Sequence, residues 1–278
     1  MIRNLPLLVI LSADRLLLHE EHDRQRTRPL VDKIRQGGIL RNPPIITPLR
    51  DRTGRYMVLD GAHRTLAFEM LEIPHILAQM VEPDDPGLNL NPWNHVLWEW
   101  ETQAFIDRLA EITNLTLIQH DLEQAQQELT NKRSLALLRT PDGDTYAAYP
   151  PSTDLGTRVN MLHQIVNQYK DRAKLDRTTV INMEKLGDLY PNLTGLVIMP
   201  RFRIEDVLYL VGEGILLPAG STRFTIAPRA LRVNYPLDAL AADTSLEEKD
   251  RHLQDWLQKK VESKSVRYYE EPTFLFDE

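Results

Sequence analysis

The stretch Tyr56-Met57-Val58-Leu59-Asp60-Gly61-Ala62-His63-Arg64-Thr65-Leu66-Ala67-Phe68-Glu69-Met70-Leu71 decides how this chain is read. Tyr56 to Leu59 form a short apolar run with strand chemistry, and Thr65 to Leu71 favour a helix. Between them stand an acid, a glycine, a histidine and an arginine. A strand that feeds a helix through a glycine exposes the first unpaired N–H groups of that helix, and their dipoles favour a negative ligand. Gly61 permits close approach, Arg64 offers a planar fork of donors matching phosphate, and His63 adds an imidazole donor. The corner has the parts of a phosphate cradle without the spaced glycines and Lys of a Walker loop. From spacing alone, Asp60 serves equally well as a helix cap and Arg64 as half of a surface ion pair.

Outward from this corner, the first third of the chain alternates strand and helix signals. Leu7 to Ile10 reads as a strand, and Arg28 to Arg35 as a helix closed by Gly37-Gly38. Ile45 to Leu49 and Tyr56 to Leu59 read as a hairpin around Asp51-Arg52-Thr53-Gly54, and Ile76 to Val81 as a further strand. Glu82-Pro83-Asp84-Asp85-Pro86-Gly87 is the best boundary, which divides the chain into 1–85 and 86–278. Beyond it, helices are expected over Trp93 to Arg108, Leu122 to Ala136, Val159 to Leu175 and Leu246 to Val261. Strands are expected over Thr145 to Tyr149, Leu196 to Met199, Ala227 to Val233 and Tyr268 to Phe276. The fold class is mixed α/β.

Bulk composition narrows the function. The 278 residues carry a formal net charge of -7 and are 42% hydrophobic, enough for a substantial core and contrary to the basic stripe of a general nucleic-acid binder. With no cysteine, the chain has no disulfide, thiolate chemistry or cysteine zinc site, which fits a cytoplasmic protein. The run Met1 to Leu11, broken by Pro6, is expected to be a first strand rather than a signal peptide, and no segment has the roughly 18 apolar residues of a membrane span. The histidines show no metal-ligand spacing.

Asp60-Gly61-Ala62-His63-Arg64 after a strand, preceded by Asn42-Pro43-Pro44-Ile45-Ile46-Thr47, resembles the ParB/sulfiredoxin-like superfamily, in which an equivalent turn binds nucleotide phosphate. Sulfiredoxin chemistry needs a cysteine in that turn, where this chain has Ala62. The fuller set Leu18-His19-Glu20, Ile39 to Pro43, Tyr56 to Arg64, Trp93-Asn94-His95 and Leu217-Pro218-Ala219-Gly220-Ser221-Thr222-Arg223-Phe224 resembles the free L-serine kinases, including siderophore-pathway enzymes that make O-phospho-L-serine. The resemblance spans most of the chain and is loose over Asn114 to Gly195. It implies an N-terminal ParB/sulfiredoxin-like domain, a larger C-terminal α/β domain and an active site in the cleft between them.

It also implies roles. Glu20 takes the place of the catalytic carboxylate, a general base within reach of the serine hydroxyl. On its own, Glu20 with Glu21 and Asp23 reads as a solvated acidic face. Gly61, Ala62, His63, Arg64 and Thr65 would hold nucleotide phosphate, with ATP or ADP as donor. Asp60 would orient Mg²⁺, hold the substrate amine or cap the helix. Thr222 and Arg223 would bind substrate or phosphate, although a plain loop would use the same residues, and His95 would contact substrate. The family pattern often carries a histidine where this chain has Phe224. Partners are therefore L-serine and a nucleotide. The competing readings are a ParB-like nucleotide- or DNA-binding regulator without kinase activity and, behind it, a ParB-type nuclease.

Overall fold

The computed structural model describes residues 5–269. Its first third holds β1 (Leu7–Ser12), β2 (Leu16–Leu17), α1 (Arg28–Gly37), β3 (Ile39–Leu40), β4 (Ile45–Pro48), β5 (Tyr56–Asp60), α2 (Ala62–Met70) and β6 (His75–Met80). The middle holds β7 (Leu88–Pro92), β8 (Asn94–Trp98), α3 (Thr102–Ala110), β9 (Thr116–His120), α4 (Leu122–Thr130), β10 (Ala136–Arg139), β11 (Thr145–Tyr149), α5 (Leu155–Tyr169) and β12 (Lys174–Thr178). The last part holds α6 (Met183–Leu189), β13 (Leu193–Ile198), α7 (Ile204–Gly212), β14 (Thr222–Ile226), β15 (Tyr235–Pro236), α8 (Leu237–Ala241) and α9 (Leu246–Glu262). The fold is mixed α/β with several sheets.

A five-stranded sheet runs in the order β1-β6-β4-β5-β2, and a six-stranded sheet in the order β12-β8-β13-β10-β11-β9. In β5, alternate residues enter different cores. Val58 packs with Ile46, Phe68 and Leu77 on one side, while Met57 and Leu59 join Leu97, Val197 and Leu217 on the other. A strand buried on both faces must be apolar throughout, which is why Tyr56 to Leu59 shows no polar alternation. The hairpin β4–β5, helix α1 and strand β6 match their expectations.

Three helices expected beyond residue 85 differ from the structure in their bounds. Trp93 to Arg108 was expected to be one helix, but Asn94–Trp98 is a central strand paired on both edges, and the helix begins only at Thr102. Val96 and Leu97 point into opposite cores, and an apolar run buried on both faces has no period that separates strand from helix. The expected helix Val159 to Leu175 ends at Tyr169, after which Lys174–Thr178 pairs with β8. Leu122 to Ala136 ends as a helix at Thr130, and Ala136 opens β10. Ala227 to Val233 is irregular, with the neighbouring strand at Thr222–Ile226. The strand expected over Tyr268 to Phe276 falls mostly outside the described residues.

The chain's last helices return to the first sheet. Leu237, Leu240, Leu253 and Tyr235 share a core with Leu8, Ile10 and Ile76, and β15 pairs with β3. No helix among the described residues is long and apolar enough to cross a membrane.

Candidate active site

Two segments about two hundred positions apart are stitched together by backbone pairing. Leu217 donates to the His19 carbonyl at 2.8 Å, and Glu21 donates to the Leu217 carbonyl at 2.9 Å. This pairing brings Glu20, 8% exposed, against the turn that follows Leu217. Its carboxylate Oε2 accepts the Gly220 N–H at 2.7 Å; Oε1 accepts the Thr222 N–H at 2.7 Å and the Thr222 hydroxyl at 2.5 Å. A buried carboxylate is tolerated when its lone pairs are met by oriented donors, and here backbone amides supply them. Oε1 is filled by Thr222, whereas Oε2 carries one backbone bond and keeps an acceptor site. The reading of Glu20 as part of a solvated acidic face is thereby overturned.

The turn at Gly220 depends on the glycine. Its φ is +73°, and a Cβ there would lie 2.4 Å from Arg177 Nε. Beneath it, His95 is fully buried, with Nε2 2.9 Å from the Gly220 carbonyl and Nδ1 2.7 Å from the Tyr169 hydroxyl. The carbonyl can only accept, so Nε2 carries the proton and Nδ1 accepts from tyrosine. Burial holds His95 below the ordinary imidazole value, consistent with this neutral tautomer. His95 was expected to contact substrate; with both ring nitrogens occupied and no place on the cleft wall, it supports the Gly220 turn instead.

The corner at Asp60 is built differently. Gly61, at φ +93°, precedes α2, and a Cβ on it would meet Arg64 Cζ and Pro44 Cα at 2.9 Å each. Arg64 fills that space, its Nη1 donating to the Asn42 and Pro43 carbonyls at 2.8 and 3.0 Å and its Nη2 to Asp60 Oδ2 at 3.1 Å. Arg229 pairs with the same oxygen. Asp60 therefore does not cap α2, and no side-chain oxygen among the described residues does, so the first N–H groups of the helix are left unpaired beside the cleft. Thr65 was expected to add a donor to phosphate, but it is buried off the cleft wall with its hydroxyl turned back to the Gly61 carbonyl.

Both groups face one cleft of about 1210 Å³, whose wall includes Glu20, Asp60, Gly61, Ala62, His63, Arg64, Thr222 and Arg223. Six Lys or Arg side chains line it (Arg26, Arg64, Lys170, Arg177, Arg223 and Arg229) against five Asp or Glu. The wall is thus locally positive on a chain of net charge -7, the polarity an anionic ligand requires. Burial, reinforced by His22, Arg26 and Arg177, lowers the His63 pKa, and burial likewise lowers that of His22. The two rings meet edge to face at 5.6 Å, and His63 Nδ1 lies 2.9 Å from the Thr27 hydroxyl. Arg223 lies over the Trp93 ring at 4.7 Å.

Sequence reasoning missed four of these residues. Arg177 lay where a helix was expected to be ending, and Arg229 in an expected strand. Arg229 is held at the corner by Gln79, whose amide donates to the Pro228 carbonyl at 2.9 Å and accepts the Ala230 N–H at 2.8 Å. His19, quoted beside Glu20 but given no role, sits with Nδ1 2.6 Å from the Val58 carbonyl and Nε2 3.0 Å from Thr222 Oγ1. The sequence signal for both histidines, His19 and His22, was their closeness to Glu20. Among the described residues no group of three or more metal-ligating side chains occurs. Arg64 and Arg229 both sit on Asp60 Oδ2 and leave Oδ1 outside that pairing.

Comparison with known proteins comes from three directions. No protein-family model matches the chain. The chain is 24% identical over 280 aligned residues to the ATP-dependent L-serine kinase SbnI of Staphylococcus aureus, covering 98% of this chain and 97% of that one. An ATP-dependent L-serine kinase of Staphylothermus marinus is 34% identical over 85 residues, about a third of each chain (31% here, 33% there). Among solved structures, SbnI with a C-terminal truncation superposes with a TM-score of 0.73 at 22% identity, over 91% of this chain and 97% of that one. A free serine kinase in complex with AMP gives 0.67 at 14% identity, over 84% and 93%. The chain therefore has the fold of the free serine kinases and is similar to SbnI along nearly its whole length.

Proposed function

We propose that the chain is a kinase that transfers a phosphoryl group from ATP or ADP to the hydroxyl of free L-serine, in the cleft between residues 1–85 and the larger remainder, in the cytoplasm. The observation that carries this reading is the Glu20 carboxylate, fixed by the Gly220 and Thr222 amides on the wall of the cleft that also holds the Asp60 to Arg64 corner.

In this reading Glu20 Oε2 accepts the proton of the serine hydroxyl. The serine oxygen forms a bond to the terminal phosphorus of the nucleotide, and the bond from that phosphorus to its bridging oxygen breaks, releasing ADP from ATP or AMP from ADP. Kinases gain most of their rate from positioning and charge neutralisation. The unpaired N–H groups of α2, His63 and the Arg64–Arg229 pair supply this for the phosphates. Asp60 Oδ1 would hold Mg²⁺ together with phosphate oxygens, the usual one-carboxylate arrangement. Arg177 and Arg223, which have no carboxylate partner among the described residues, suit the serine carboxylate. Thr222, expected to touch substrate or phosphate directly, acts in this scheme through Glu20.

The test is direct. Purified, folded protein incubated with L-serine, Mg²⁺ and either ATP or ADP should form O-phosphoserine, detected by ³¹P NMR or mass spectrometry. Failure with both nucleotides would abolish the proposal.

A further inference from the structure

Behind Glu20 the structure holds a second titratable group with no part in the scheme above. His19 is buried, its Nδ1 2.6 Å from the Val58 carbonyl and its Nε2 3.0 Å from Thr222 Oγ1, while that hydroxyl lies 2.5 Å from Glu20 Oε1. A backbone carbonyl cannot donate, so Nδ1 carries a proton. The Thr222 hydroxyl has one proton and two neighbours, each within bonding distance. If that proton points to Glu20, Nε2 must carry a proton to satisfy the hydroxyl's lone pair. If it points to His19, Glu20 Oε1 must carry one instead. The two fully bonded arrangements differ by the net transfer of one proton, carried in two hops through the hydroxyl.

We infer that His19 and Glu20 share one proton through the Thr222 hydroxyl, and that His19 is the positioning residue that keeps Glu20 in its carboxylate form. The shift balances. The Oε1–H bond of Glu20 breaks as a new O–H bond forms on Thr222. The original Thr222 O–H bond breaks as N–H forms on His19 Nε2. The product is an imidazolium and a carboxylate, with Oε2 free to take the substrate proton. Without the shared proton, a hydroxyl lone pair would face either a bare imidazole nitrogen or a bare carboxylate oxygen, an arrangement that folded proteins avoid.

Ser221 Oγ also approaches Glu20 Oε1, at 3.5 Å, but its shorter bond, 2.8 Å, goes to the Pro218 carbonyl. Glu21 and His22 flank the pair on its own segment, Asp60 lies on β5, His95 on β8, Arg177 on β12 and Arg223 on β14. Thr222 alone touches both ends. On the far side the His19 ring meets Phe224 edge-on at 5.1 Å, so no second polar group competes for Nε2 there.

The inference gives Glu20's proposed role a means of control and so rests on the kinase reading for its consequence, but the shared proton can be measured without turnover. In nucleotide-free, full-length protein, the ¹⁵N signals of the His19 ring and the ¹³Cδ signal of Glu20 should respond to pH as one coupled pair, both signals moving at each of the pair's two protonation steps. Thr222→Val keeps the backbone N–H to Glu20 and removes the hydroxyl; it should separate the two titrations and lower kcat by about tenfold, with the serine KM changed much less. Thr222→Ser should restore the coupling and most of the lost turnover. Independent titration of His19 and Glu20 in the unaltered protein would overturn the inference, whatever the variants do. Coupled titration in a protein that makes no phosphoserine would uphold the shared proton and sink the kinase reading alone.

Discussion

Two glycines in the cleft each make room for an arginine, and the arginines end in opposite states. Gly61 lies over Arg64, whose guanidinium is spent on the Asn42 and Pro43 carbonyls and on Asp60. Gly220 lies over Arg177, whose guanidinium has no carboxylate partner among the described residues. The first arginine is therefore part of the framework and lends its charge through a bonded corner. The second is an exposed cation on the cleft wall, placed to pair with an anion that enters. The contrast separates groups that build the site from groups that would recognise what enters it.

The largest effect belongs to Glu20, the proposed base. Glu20→Gln should lower kcat by roughly 10²- to 10⁴-fold with nucleotide affinity nearly unchanged, measured by phosphoserine formation and calorimetry. It should also lower the melting temperature. Whichever way the amide turns, its NH₂ faces a backbone N–H of Gly220 or Thr222, a lost bond worth about 1–3 kcal/mol.

Parallel deletions of the two arginines break the comparison if it is wrong. Arg64→Ala should destabilise the fold by about 2–3 kcal/mol, because the Asn42 and Pro43 carbonyls lose their donor and Asp60 keeps only Arg229, and should weaken nucleotide binding as well. Arg177→Ala should leave stability within about 0.5 kcal/mol and raise the serine KM about tenfold or more. Equal melting temperatures for the two variants would erase the distinction between framework and recognition.

Gly220→Ala sharpens the same point. A Cβ at φ +73° and 2.4 Å from Arg177 Nε should cost about 1–2 kcal/mol and shift Arg177, raising the serine KM several-fold while Glu20 keeps its Thr222 bonds. Gly61→Ala, against the bonded Arg64, should cost more stability than Gly220→Ala. Chemical denaturation of the pair measures the order.

The smallest effect is a proton uptake. His63 and His22 have pKa values lowered in the free cleft, first by burial, so both are largely neutral at pH 7. An arriving phosphate favours their charged forms and raises those values, so nucleotide binding should take up protons and tighten by a few-fold as pH falls from about 7.5 toward 6. Calorimetry in buffers of different ionisation enthalpy counts the protons, and His63→Gln should reduce the number. A count of zero would place the phosphates away from this pair.

Much of the first sheet was legible because its signals are local. The β4–β5 hairpin, the glycine corner and helix α1 each follow from neighbouring residues whose preferences agree. The second sheet hid its central strand, since Asn94 to Trp98 is buried on both faces and carries no period. Arg177 was hidden with it, on the strand β12 that pairs with β8. Thr65 and His95 misled because residue type gave their chemistry and said nothing of where their polar atoms point.

By itself the sequence determined the pieces whose geometry is set by bonds close along the chain: the turn at Gly61, the helix behind it, and the kinds of group available for phosphate and proton transfer. Only the tertiary structure decided which of those groups remain free. Arg64 is consumed, Arg177 is open, and Glu20 meets Thr222 across about two hundred residues of chain. Hydrogen-bond saturation is a property of neighbours in space, and such neighbours are chosen when the two sheets close on one another.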